Sequence, residues 1–404
     1  MGTPRLRCIV IRILQIISDM HPKQGGPPVV VNGTALALKK LGHDVEIACR
    51  VMPGEEDEVR RAWPELTQAG IPLHLLPASG PNALIRSRAF DIFVHSQAVR
   101  FDVLHAHGTW EAVLSSAGRA FAAAGKPYFV SLHGTLDAWS LAQSRWKKKM
   151  SWSLLGTRRY LDGAAGLIFG SRDEAKEAES LGLCAPARII PNGVNLDTLS
   201  VGVEGNQTAL RARFPSTANW TRTILFFSRL HPKKGLDMLV EAFARVANEF
   251  PGAGLFAAGI PQDKVFENAV RARISKLGLD TQVILTTDLV GREGRAAFEI
   301  ADIFALPSHQ EGFSMAIIEA MGMGLPVLIT SKCHMNEVVD WRAGEVVAPN
   351  PDGLEAGLRR LLVCDPAELQ TMGRNGAAII RQHFTWSQIA LKLEALYTPD
   401  QHKA

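Results

Sequence analysis

The sequence predicts an α/β fold of two Rossmann-like domains facing each other across a cleft, each a doubly wound parallel sheet. Three observations carry that expectation. Short apolar runs alternate with helical patterns in both halves, the signature of strand-helix-strand units. The chain has 404 residues, 47% hydrophobic and 21% charged, enough for two cores of ordinary domain size. Between the halves lies Gly193 to Asn219, rich in Asn, Gly, Ser and Thr and poor in periodicity, which marks the interdomain linker.

Taken in order, strands are expected over Arg12–Ser18, Val45–Arg50, Leu73–Leu76, Val103–His105, Tyr128–Leu132, Gly166–Phe169 and Arg188–Ile190. The helix after the first is closed by Leu41-Gly42. The second half places strands over Thr223–Phe227, Leu255–Ala258, Val283–Leu285, Ile303–Leu306 and Pro326–Ile329. Apolar residues at 386, 389, 390, 393, 396 and 397 form a last helical stripe able to cover either domain. The expected division is 1–195 and 196–383, with 384–404 packing back on the first domain.

Charge narrows the function. With 44 basic against 40 acidic residues the net charge is +4, which argues against whole-surface nucleic-acid binding. Five cysteines, at 8, 49, 184, 333 and 364, form no C-x-x-C pair and fit a reducing, cytoplasmic setting. The most apolar N-terminal run, Cys8 to Ile17, is broken by Arg12, so neither a membrane span nor a signal peptide is expected.

The first strand ends in Asp19–Pro28, whose Gly25-Gly26 pair precedes a helix. Glycine lets backbone approach a ligand and a helix N-terminus favours an anion, although an ordinary tight turn reads the same way. No G-x-G-x-x-G with a following acid occurs, Gly252-Ala-Gly254 has the wrong spacing, and the phosphate-loop pattern is missing. Dinucleotide oxidoreductases and nucleotide hydrolases are thereby disfavoured.

The second half says more. Phe227-Ser-Arg229-Leu-His-Pro-Lys-Lys234-Gly235 follows a strand and precedes a helix, which puts cations and free backbone donors at a strand's carboxyl end. That suits a diphosphate, the alternative being a solvated basic turn. Next, Pro307-Ser-His-Gln-Glu311-Gly-Phe-Ser-Met-Ala-Ile-Ile-Glu319 sets one carboxylate at a helix mouth and one inside the helix. Such carboxylates can accept hydrogen bonds from sugar hydroxyls. A pair of solvated helix acids explains neither the apolar Ala316-Ile317-Ile318 nor the preceding turn.

Gly25-Gly26, His133-Gly134, Pro191-Asn192-Gly193-Val194, Arg229 with Lys234-Gly235, and Glu311-x7-Glu319 occur together and in order. In these the chain resembles the retaining glycosyltransferases of family four, with the GT-B fold, over nearly its whole length. The resemblance implies a nucleoside-diphosphate sugar held mainly by the second domain and a hydroxyl acceptor held mainly by the first. Arg229 and Lys234 would neutralise the diphosphate, Glu319 would bind the ribose, and Glu311 would contact the donor sugar, beside Gly312, Phe313 and Ser314. His133 would sit near the reacting carbon, and Gly25 and Gly26 would approach the phosphates. No cofactor is implied, since the nucleotide sugar is a substrate.

Two departures stand out: Asn195 replaces the family's Asp after Pro-Asn-Gly-Val, and Cys333-His334 with Glu337 replaces glycines after the Pro-Val strand. The segment from His133 through Trp146-Lys-Lys-Lys-Met150 resembles a bacterial polysaccharide-assembly branch, which implies a lipid-linked glycan acceptor. Arg145, Lys147, Lys148, Lys149, Arg158 and Arg159 lie in an acid-free stretch, while Trp146, Met150 and Leu154 follow helical spacing. This fits an anionic membrane surface, a lipid diphosphate acceptor, or a solvated helix with its stripe in the core.

His105-Ala-His107 has ligand-like spacing but no third ligand, so packing in the cleft or core is preferred to zinc. No Asp-x-Asp is present, and a metal-independent reaction is expected. Two alternatives stand beside the leading one: an epimerase or phosphorylase on the same fold, and a non-catalytic sugar-nucleotide binding module.

Overall fold

The computed structural model of the protein describes residues 9–79, 87–136, 156–197, 206–289 and 291–398, together with Leu141 and Trp152. The chain divides into two compact units, one of residues 1–193 with 386–404 and the other of residues 194–385.

The first unit is built on β1 (Arg12–Asp19), β2 (Asp44–Val51), β3 (Leu73–Pro77), β4 (Val103–His107), β5 (Tyr128–Ser131), β6 (Gly166–Phe169) and β7 (Ala187–Ile189). They pair in the order β3-β2-β1-β4-β5-β6-β7, every pair parallel. β1 is central, with Ile13 opposite both Val45 and Val103. Ile13 and Ile17 point into one core layer with Val31, Leu38 and Leu393, and Leu14 and Ile16 into the other with Leu114 and Phe121. Both faces are covered, which is why β1 reads from Ile13 to Ile17 as an apolar run broken only by the buried Gln15, and not as an alternation.

The helix Trp386–Tyr397 lies in this first unit, burying Ile389, Ala390, Leu393, Leu396 and Tyr397. Its Trp386 ring rests on Gly33 and Gly193, where a methyl group would overlap it. His43 Nε2 lies 3.2 Å from Glu394 Oε1, and the Tyr397 hydroxyl lies 2.7 Å from His105 Nδ1.

The second unit is built on β8 (Arg222–Phe227), β9 (Ala253–Ala258), β10 (Val283–Thr286), β11 (Ile303–Leu306), β12 (Val327–Thr330) and β13 (Gly344–Val347), in the order β10-β9-β8-β11-β12-β13. All pairs are parallel, and Phe226, Phe243, Phe256 and Phe304 fill the core.

Two features depart from expectation. β13 is an additional strand: Gly344, at φ 155, lies against the Val327 backbone where no Cβ fits, and its Gly-Glu-Val-Val sequence is too short and polar to announce a strand. The stretch expected as linker carries a helix over Asn206–Arg213, anchored by the buried Leu210 in the second core, so it is not a free connection. Among the described residues no helix is long and apolar enough to cross a membrane.

Candidate active site

In each sheet one pair of adjacent strands has connections that leave toward opposite sides: β1 with β4, and β8 with β11. The carboxyl ends of such a pair form a crevice where open α/β sheets bind ligands. Gly25 and Gly26 follow β1, Arg229 and Lys234 follow β8, and Glu311 to Glu319 follow β11, while His133 follows the neighbouring β5.

In the second unit, β8 leads to the turn Pro232–Lys234, shaped by His231, whose Nδ1 accepts from the Lys233 N–H at 3.1 Å. Gly235 follows at φ 67, so close to the Pro307 carbonyl that no side chain fits, and the helix Leu236–Val246 begins without a side-chain cap. The loop after β11 is tied to this turn by the His309 N–H, which donates to the Lys233 carbonyl at 2.8 Å. Thr330 Oγ1 donates to the Ser308 carbonyl at 2.5 Å, and the Glu311 N–H donates to the Lys332 carbonyl at 2.8 Å. The helix Met315–Gly322, with Ser314 as its N-cap, also starts without a side-chain cap. Two helix N-termini with uncapped donors therefore flank one crevice, an arrangement that favours phosphate oxygens.

Lys234 and Glu311, expected to meet different parts of a ligand, face each other: Nζ lies 2.5 Å from Oε1, and both side chains are about nine-tenths buried. The Ser308 hydroxyl donates to the same Oε1 at 2.5 Å. Burial works to raise the Glu311 pKa, but the Lys234 charge, its hydrogen bond and that of Ser308 outweigh it and hold the carboxyl below its ordinary value. Glu311 is thus a fixed carboxylate, ion-paired with Lys234. Arg229 is exposed at the head of the turn. Glu319 lies on the half-buried side of its helix, where desolvation pushes its pKa up to about 7 against the opposing pull of Arg295. Phe313 stacks its ring on Phe384 at 5.9 Å, so that side chain braces the loop from inside. Gly312 connects it to Glu311 with no side chain of its own.

In the first unit, the loop after β1 is held by Asp19, whose Oδ1 accepts the His21 N–H and whose Oδ2 accepts Gln24 Nε2, both at 2.8 Å. Gly25 turns at φ 84, and Gly26 opens the helix Gly26–Lys40, again without a side-chain cap. His133 follows β5 with φ 51 and Gly134 with φ 70, both left-handed. That conformation is uncommon for a histidine and needs external support. Glu174 supplies it: one oxygen accepts the Gly134 N–H and the other the Gly170 N–H, each at 2.7 Å. His133 Nε2 lies 3.0 Å from His107 Nδ1, with the rings stacked at 5.3 Å. Burial lowers all three clustered histidines, His133 to about 4, His105 to about 3 and His107 well below its ordinary value, so each imidazole is neutral at physiological pH.

Asp19, Glu174 and Ser308 were not singled out by sequence. Glu174 has a readable signal, since Ser171-x-x-Glu174 is a capping-box pattern; Ser171 does accept the Glu174 N–H at 3.1 Å, but the carboxylate turns outward to brace two loops. Of the basic stretch, Arg145, Lys147, Lys148 and Lys149 lie outside the described residues, as do Trp146, Met150 and Leu154. Arg158 is not a free cation: it pairs with Asp162 at 3.0 Å and donates to the carbonyls of Leu181 and Gly182, whereas Arg159 is exposed. Among the described residues no group of three potential ligands gathers around a metal position.

Comparison with known proteins places the two units. Residues 25–193 match the family described as Glycosyl transferase 4-like domain, and residues 212–378 match Glycosyl transferases group 1. The chain is similar to the D-inositol 3-phosphate glycosyltransferase of Pseudarthrobacter chlorophenolicus, 27% identical over 400 residues that cover 94% of this chain and 91% of that protein. It is similar over 214 residues, at 27% identity, to the mannosylfructose-phosphate synthase of Agrobacterium fabrum, covering 52% of this chain and 46% of that one. Its fold is shared with Anabaena HepE, solved in complex with UDP and glucose, at a TM-score of 0.76 and 20% identity over 95% of this chain and 98% of that one.

Proposed function

We propose that this chain, a glycosyltransferase whose 4-like domain precedes a group 1 domain, moves a sugar from a nucleoside-diphosphate sugar to a hydroxyl acceptor with retention of anomeric configuration. The observation that carries the reading is the crevice beside β8 and β11, where Lys234 and two uncapped helix N-termini come together, with Arg229 exposed at the head of the same turn. A bond to an anomeric carbon that breaks toward a diphosphate needs its leaving group stabilised, and fixed cations and backbone donors provide this without reorganisation. Glu311, held as a carboxylate by Lys234, can accept from a sugar hydroxyl but is already engaged as an ion-pair partner. The reading is therefore attack from the face that the diphosphate leaves, with a leaving phosphate oxygen taking the acceptor proton. Glu319 would receive the ribose hydroxyls. His133, Gly25 and Gly26 would face the transferred sugar and the phosphates from the first unit.

In this scheme Lys234, Arg229 and the helix N-termini take the place of a metal at the diphosphate, and activity should survive EDTA. The proposed acceptor is a hydroxyl compound that carries phosphate. The basic stretch from Arg145 to Arg159 supports a lipid-diphosphate glycan at an anionic membrane surface on the cytoplasmic side, while the names of the curated relatives support a free phosphorylated polyol or sugar. Turnover of UDP-, GDP- and ADP-sugars, with each acceptor class and without acceptor, tests the reading. A retained anomer formed only with acceptor is the expected outcome. Donor conversion without acceptor would replace transfer by epimerisation, and binding without turnover would leave a sugar-nucleotide binding module.

A further inference from the structure

We propose that His107 is a positioning residue that fixes the tautomer of His133, making His133 a hydrogen-bond donor through Nδ1–H and removing its Nε2 from use as a base. The proposal rests on the reading that His133 faces the donor sugar, but its geometry is complete within the first unit.

Two neutral imidazoles share one hydrogen bond between His107 Nδ1 and His133 Nε2, 3.0 Å apart, so only one of these nitrogens carries the proton. The other end of the His107 ring decides which. His107 Nε2 is buried and has no hydrogen-bond partner among the described residues. If His133 donated, His107 would have to carry its proton on that Nε2, leaving a buried N–H with nothing to receive it. If His107 donates, its Nε2 keeps only a lone pair. Orphaned buried N–H groups are rarer in proteins than under-used acceptors. The second arrangement is therefore the one adopted: Nδ1–H of His107 donates to Nε2 of His133, and the His133 proton resides on Nδ1.

The surroundings keep this choice from relaxing. His107 is held in β4 opposite Ile17 of β1 and Ser131 of β5, so its ring direction follows from the sheet. Its neighbour His105, with ring centroids 4.1 Å apart, is fixed at both nitrogens, Nε2 to Ser131 Oγ at 2.8 Å and Nδ1 to the Tyr397 hydroxyl at 2.7 Å. On the other side, Glu174 pins the backbone that presents His133. The consequence for chemistry is directional. A donor at this position can hydrogen-bond to a hydroxyl oxygen of the transferred sugar and so orient it, and it cannot take a proton from the acceptor through Nε2.

The test is nitrogen-15 NMR of the full chain labelled at histidine, which reads the tautomer of each ring directly. The His133 signals are identified by their disappearance in His133→Gln. We expect His133 in the Nδ1–H form in the wild type. Finding it in the Nε2–H form overturns the proposal, and this readout needs neither substrate nor a stable variant at position 107. In His107→Phe the His133 ring should shift toward Nε2–H and sugar transfer should fall by at least about tenfold in kcat, with KM for the donor little changed. His107→Asn, whose amide can donate from a similar place, should restore both. A His107→Phe protein that is folded and keeps the wild-type tautomer and rate would equally sink the idea. If no donor is turned over by the wild type while the tautomer is as expected, the proposed function fails and the tautomer assignment stands.

Discussion

Lys234 and Arg229 stand in the same loop but differ in what their loss should do. Lys234 is buried against Glu311, so Lys234→Ala leaves a buried carboxylate without its partner, a change that costs about 3–5 kcal/mol of stability as well as turnover. Arg229 is exposed, and Arg229→Ala should change stability by less than about 0.5 kcal/mol while still lowering kcat by about 10²–10³ if it meets the diphosphate. Thermal melts beside steady-state kinetics separate the two, and equal melting shifts would refute the distinction. Glu319 offers a pH test. Its carboxyl stays protonated from the ordinary carboxylate range up to about 7, so folding stability contributed by this group is lost as pH rises through that window. If Glu319 receives the ribose hydroxyls as proposed, they donate to its ionised form, and affinity for a nucleoside diphosphate should weaken as pH falls below about 7. Calorimetry on Glu319→Gln should show a flatter profile; an unchanged slope means that the group does not titrate on binding. These residues were legible as a motif because lysine, glutamate and glycine keep fixed spacing there. That Lys234 pairs with Glu311, or that His107 meets His133, was not legible, because each pairing joins residues at the ends of separate strands.

At the scale of elements, strands covered on both faces announced themselves as apolar runs, whereas β13 did not, since Gly344 and Glu345 dilute a four-residue strand whose pairing comes from β12. The helix Asn206–Arg213 was equally silent, with Leu210 its one buried residue. Both are elements that tertiary packing creates and local pattern does not. The helix Trp386–Tyr397 gives the sharpest test of such packing. Gly33→Ala would drive a methyl into the Trp386 ring, whereas Gly42→Ala meets open space although its φ of 94 is strained. Gly33→Ala should cost about 1–3 kcal/mol through overpacking and speed amide exchange along 386–397. Gly42→Ala should destabilise without touching that helix's protection. Exchange in 386–397 that responds to neither substitution would mean that the ring is free to move away.

At the scale of the whole molecule, the two units have different claims to independence. Residues 194–385 are continuous and carry their own core. Residues 1–193 lack the helix whose Ile389, Ala390 and Leu393 complete one of their two core layers. The fragment 194–385 should melt cooperatively by itself. The fragment 1–193 should bind hydrophobic dyes and recover on addition of a 386–398 peptide. If 1–193 is native-like alone, the helix contributes little to that core.

The two places where the chain passes between units lie side by side. Val194 donates its N–H to the Phe384 carbonyl at 2.7 Å and bridges Thr385 in parallel, while Gly193 sits directly against the Trp386 backbone. The second unit is thus a graft spliced into the first through two neighbouring stems. A scion with stems so close can be cut out or exchanged with little disturbance to its stock: a tight turn of two or three residues joining Gly193 to Trp386 should close the first unit into one uninterrupted chain, and a different parallel-sheet unit with similarly adjacent ends should be accepted in the same place.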